Sequence, residues 1–118
     1  MQYILLIYEN EADAKKRPEA ENQKIFGEYF GFSESIRKSG HFKAGEPLEP
    51  VATATTVRVK NGKTVKTDGP FAETREQLGG FYIVEAKDLD EAVGIAARIP
   101  GARTGSIEVR PIMKIPGM

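Results

Sequence analysis

The 118 residues give room for one domain with a modest core. Lysine plus arginine balances aspartate plus glutamate at 17 each, and no basic stripe interleaves with aromatics, so neither nucleic acid nor an anionic membrane is an expected partner. The lack of cysteine excludes disulfides, thiolate nucleophiles and thiolate-held metals, and fits a reducing, cytoplasmic location.

Gln2 to Tyr8 reads as a strand. Tyr3, Leu5 and Ile7 point one way and Ile4, Leu6 and Tyr8 the other, so both faces need cover. The run has no basic leader and is too short for a signal sequence or a membrane span. Glu9 to Glu21 is a polar connection, a solvated loop or a helix entry.

From Glu19 to Lys38, apolar residues at Ile25, Tyr29, Phe32 and Ile36 are spaced by four, three and four, the pattern of a helix with one buried side. Phe26 and Phe30 widen that stripe and are expected in the core. Ser39-Gly40 ends the helix. His41 to Pro50 is expected as a loop or short extended piece, because Glu46-Pro47 and Glu49-Pro50 disfavour helix. His41, the lone histidine, suits a surface or capping role, with a general base as the alternative.

Thr53 to Thr67 forms two β-branched segments around Asn61-Gly62, a hairpin signal. A two-residue turn sets Val57 opposite Lys66. A three-residue loop sets Val57 opposite Val65 and is preferred, since it gathers the apolar residues on one face.

In Asp68-Gly69-Pro70 a glycine and a proline stop one element and start another, with Asp68 as the cap of one or two polar helical turns from Ala72 to Gln77. Gly79-Gly80 closes them. Phe81 to Ala86 is a second strand apolar on both faces. Asp88-Leu89-Asp90-Glu91 is a capping pattern that opens a helix through Ala92, Val93, Ala96 and Ile99, stopped by Pro100-Gly101. Ser106 to Arg110 alternates cleanly, and Pro111 suits an edge.

This order predicts a single α+β domain over residues 1–118. In it a split βαβ sheet has the first strand and Phe81 to Ala86 in the middle, and the hairpin and last strand outside. Two helices cover one face. The apolar opposite face predicts a homodimer packed sheet against sheet.

Met1 to Tyr8, Ala52 to Val59, Asp68-Gly69-Pro70-Phe71-Ala72-Glu73-Thr74, Glu76 to Phe81 and Glu108 to Pro111 together resemble the DGPF-type branch of the YCII-related proteins, over nearly the whole chain. The resemblance implies a ferredoxin-like fold that assembles as a dimeric α+β barrel. The wider family includes members whose proposed active site pairs a histidine on the first helix with an aspartate late in the second, before a proline. Here the first helix has no histidine and Ala97-Arg98-Ile99 precedes Pro100, so that chemistry is not carried over. Relatives of this branch are often encoded beside extracytoplasmic-function sigma factors, which implies a regulatory partner without identifying it, the sigma factor being the candidate.

The segment Thr67 to Gly80 leads into a central strand at the mouth of such a barrel, where ligands commonly bind. Asp68 or Glu73 is the candidate acid/base. Arg58, Phe71, Glu76, Arg110 and Tyr8 are the candidate ligand-binding residues, with the arginines holding an anion. Structural roles are open to the same residues: Asp68 as a cap, Phe71 as a core plug, the glutamates as a solvated face. Isolated carboxylates make no metal site, and no cofactor motif appears. The reading that follows is a module for binding an unidentified small molecule, or a regulatory module. The alternative is a cofactor-independent lyase, isomerase or hydrolase.

Overall fold

Strand β1 (Gln2–Glu9) runs through the middle of a four-stranded antiparallel sheet in the computed structural model, which describes residues 1–118. A short helix α1 (Glu11–Lys15) follows, started by Asn10, whose side chain accepts the Asp13 N–H. Helix α2 (Glu19–Lys38) has glutamates in its first turn and Arg37 and Lys38 in its last, charges that complement the helix dipole at both ends. Next come β2 (Phe42–Pro47), a single turn at Val51–Thr53, and the hairpin strands β3 (Thr55–Lys60) and β4 (Lys63–Asp68). The chain closes with β5 (Gln77–Glu85), α3 (Leu89–Ala97), a turn at Pro100–Ala102, and β6 (Ser106–Pro111).

The sheet order is β2-β5-β1-β6, with β3-β4 forming a separate two-stranded sheet. This is the ferredoxin-like α+β arrangement, with the hairpin inserted between two of its strands. Along β1 the odd residues Tyr3 and Leu5 are buried under the helices together with Tyr82 and Val84 of β5, Phe32 and Ile36 of α2, and Ala92, Ile95, Ala96 and Ile99 from α3 and its end. Phe32 meets Tyr82 edge-on with ring centres 5.1 Å apart, and the Tyr82 hydroxyl hydrogen-bonds Ser33 at 2.7 Å. Asp88 accepts the Glu91 N–H at 2.9 Å and starts α3. The even residues Ile4 and Leu6, with Phe81 and Ile83 across the ladder, face away from the helices and stay half-buried.

Four expectations need correction. The sheet's outer strand beside β5 is β2, formed within the stretch expected as a loop or short extended piece; the hairpin expected in that outer position stands apart. The hairpin has the tight two-residue turn, with Val57 opposite Lys66, because Asn61 and Gly62 both take positive φ (51° and 74°), the geometry whose twist matches the strands. No helix follows Pro70: residues 69–76 form an irregular loop, Asp68 is the last residue of β4, and Gly79-Gly80 lies inside β5. Phe26 and Phe30 are exposed, since α2 turns only the side bearing Phe32 and Ile36 to the sheet.

The hairpin makes the molecule flat and wide, 48 × 47 × 19 Å, with a radius of gyration of 16.4 Å where a compact chain of this length has about 13.5 Å. No helix is long and apolar enough to cross a membrane.

Candidate functional site

The base of the hairpin folds back on itself. Gly69, at φ 97°, lets the chain leave β4, and its N–H donates to the Ala54 carbonyl at 2.7 Å. The Thr56 hydroxyl donates to the Gly69 carbonyl at 2.8 Å. These two bonds bring Phe71 beside the start of β3, and the two segments enclose an open groove of about 430 Å³ lined by Thr55, Thr56, Val57, Arg58 and Phe71. Arg58 has no acidic partner, and Phe71 is 80% exposed. A free guanidinium and an uncovered ring lining one groove are equipped for a flat anion.

A second cleft, of about 320 Å³, lies at the end of β1, among Glu9, Glu11, Ala14, Lys15, Leu48, Pro50, Gln77 and Gly79. Its walls are tied by backbone-to-side-chain bonds. The Glu11 N–H donates to the Gln77 side-chain oxygen at 2.9 Å, and the Glu11 carboxylate accepts the Val51 N–H at 3.1 Å. The Gln77 amide donates to the Thr74 carbonyl at 2.6 Å, and Asn10 to the Arg75 carbonyl at 3.0 Å, so the loop is clipped to the end of β1. Glu9 is ion-paired with Arg17 and accepts the Thr104 hydroxyl at 2.7 Å. That bond to Glu9 raises the Arg17 pKa, with burial opposing it.

Of the residues singled out in the sequence, Arg58 and Phe71 share the first groove. Asp68 stands opposite Thr55 at the end of β4, exposed, and Glu73 is exposed in the loop. Glu76 is half-buried, and its carbonyl accepts the Thr74 hydroxyl at 2.5 Å. None of these three carboxylates pairs with an arginine. Arg110 lies opposite Ile4 and is bonded to Glu108 at 2.9 Å. Tyr8 shares its sheet face but sits four residues further along β1, roughly 13 Å away at about 3.3 Å per residue. Arg110 is therefore remote from the end of β1 where the loop is clipped.

His41 ties the end of α2 to the start of α3, with Nδ1 2.6 Å from the Ser39 hydroxyl and Nε2 3.4 Å from Glu91. No three His, Asp or Glu side chains converge as metal donors. The cleft residues Glu9, Glu11 and Lys15 were missed in the sequence, where they look like ordinary solvated charges; Asn10 ahead of a short acidic run was the one signal that a helix starts there.

The model of the family described as "YCII-related domain" matches residues 1–116. An uncharacterised protein of Rhizobium meliloti (strain 1021) is 35% identical over 114 residues, which cover 95% of this chain and 92% of the relative. Among solved structures, 5-chloro-2-hydroxyhydroquinone dehydrochlorinase (TftG) of Burkholderia phenoliruptrix AC1100, in complex with 2,5-dihydroxybenzoquinone, superposes with a TM-score of 0.51 at 15% identity, covering 96% of this chain and 94% of that one.

Proposed function

The chain belongs to the YCII-related family, and from that premise we propose that it is a small-molecule-binding module whose ligand is a flat anion seated between Arg58 and Phe71. The observation that carries the reading is the unpaired Arg58 beside an exposed aromatic ring, in a groove whose volume falls within the range of ligand pockets. Bidentate pairing with an anionic group supplies orientation, and the Phe71 face supplies apolar contact. The fold likeness to a protein held in complex with 2,5-dihydroxybenzoquinone, a flat ring with acidic hydroxyls, supports the same ligand class.

Isothermal titration with 2,5-dihydroxybenzoquinone, benzoate and benzylamine tests this. The two anions bind and the amine does not, and Arg58→Gln weakens anion binding by about 2 kcal/mol. Equal binding of the amine, or an indifferent Arg58→Gln, overturns the proposal.

The working form in this proposal is a homodimer, supported by the half-buried apolar residues Ile4, Leu6, Phe81 and Ile83 on the face that no helix covers. Its place is the cytoplasm. The regulatory side rests on the DGPF-type motif: a ligand-dependent contact with an extracytoplasmic-function sigma factor, tested by co-purification with and without the anion.

A second reading is enzymatic, with Asp68 or Glu73 as acid/base, and the fold shared with a dehydrochlorinase favours it. Turnover of halogenated hydroquinones that disappears in Asp68→Asn or Glu73→Gln supports this second reading, and turnover unchanged in both variants removes it.

A further inference from the structure

We propose that the β3–β4 hairpin is an arm that each chain lays on a second copy of itself, so that the groove at its base is closed by the partner. The part concerning the groove rests on the ligand reading above.

Accessible surface gives the first indication. The chain exposes 8566 Å², whereas a folded monomer of 13.0 kDa exposes about 6,300 Å². The excess of about 2,200 Å² is of the size that one subunit buries in a large homodimer interface. Every strand residue of the arm but Thr56 is exposed, with Val59 at 69%, and Phe71 beside its base is uncovered. A two-stranded hairpin has little stability in water without something packed against it. Its own chain supplies neither helix nor sheet for the purpose.

Charge identifies the occupant. Between Thr55 and Thr67 the chain carries Arg58, Lys60, Lys63 and Lys66 and no acid. With 17 residues of each sign overall, the remainder holds four more acids than bases. Lys60 stands directly opposite Lys63, a repulsive pair that an acidic surface relieves. The remainder of a second copy, net acidic by that count, suits the role, and a two-fold arrangement satisfies both arms at once. Lysines on free strand edges discourage edge-to-edge pairing, so the arm docks by its faces.

The absence of cysteine makes a clean test. Val59→Cys carries a benzophenone maleimide label, and isotopically light and heavy chains are mixed, irradiated and mapped by mass spectrometry. Sedimentation compares the wild type with the Lys60→Glu/Lys63→Glu/Lys66→Glu variant, and circular dichroism confirms that its core is folded. The expected results are a dimer of twice 13.0 kDa, light-to-heavy cross-links from the arm, and a dimer dissociation constant raised at least tenfold at low salt in the triple variant.

A monomer at tens of micromolar overturns the inference. So does a dimer whose arm cross-links only within its own chain or whose affinity ignores the charge reversal, and so does an arm that stays free until nucleic acid or another acidic protein is added. An arm-exchanged dimer that binds no ring anion overturns the ligand reading alone. Arg58-dependent anion binding by a monomer overturns the arm alone.

Discussion

β1 and β3 are both rich in apolar and β-branched residues, yet Leu5 is fully buried while Val59 stands in solvent. The difference lies in what crosses over each strand. Phe32 and Ile36 from α2, with Ile95 and Ile99 from α3 and its end, form one cluster with Leu5, because the helices connect strands of the same sheet. The hairpin is a local excursion between β2 and β5, and no helix is tethered so as to reach it. Strand-forming sequence therefore secures an extended backbone in both places, and burial in only one.

The largest expected effect exploits that contrast. Leu5→Ala removes a side chain from a fully covered position and lowers unfolding free energy by about 2–5 kcal/mol in urea titration. Val59→Ala, measured at protein concentrations where the chain is monomeric, changes it by less than about 0.5 kcal/mol. A Val59→Ala cost approaching that of Leu5→Ala breaks the comparison, since the arm is then packed within its own chain.

Turns sharpen the same contrast at smaller cost. Asp88→Ala removes the side chain that caps α3 and costs about 1 kcal/mol of global stability, because α3 belongs to the main core. Gly62→Ala forces a side chain into positive φ, a local strain of about 1 kcal/mol. Because the hairpin is detached, the strain appears as faster hydrogen exchange confined to 55–68, with the urea midpoint of the monomer nearly unchanged. Exchange that accelerates equally in β1 and β5 shows instead that arm and sheet unfold as one unit.

These two regions also mark what could be read in the residues beforehand. The central strands, α2 and the Asp88 cap follow from periodicity and capping chemistry, which are local, and the structure reproduces them. The role of Phe42–Pro47 as the outer strand was hidden, because Gly45, Glu46 and Pro47 carry little strand propensity and the pairing is fixed by β5. Counting only helical spacing put Phe26 and Phe30 in the core; the side of α2 that meets the sheet is chosen by tertiary packing. Within the site, the proximity of Phe71 and Arg58 follows from the Gly69 latch, whereas the remoteness of Arg110 depends on strand register, which no local motif encodes.

The smallest effect concerns Tyr29, half-buried between α2 and the Pro100–Ala102 turn, whose hydroxyl accepts the Gly101 N–H at 3.2 Å. Burial raises its pKa above the ordinary 10.0 because the phenolate loses water, and the Gly101 N–H opposes this by favouring the charged oxygen. With the folded value above the unfolded one, the native chain holds the proton more tightly. The contribution is complete below about pH 10 and is lost as pH climbs through the folded pKa. Tyr29→Phe, which leaves the Gly101 N–H without its acceptor, is less stable than the wild type at pH 7 by about 1 kcal/mol or less. Urea titrations of both proteins from pH 8 to above about 10 cancel the other titrating groups, and the gap between them narrows at the alkaline end. A gap that stays constant or widens with pH means that Tyr29 keeps its water in the folded chain, and that the sheet's helical cover ends short of that turn.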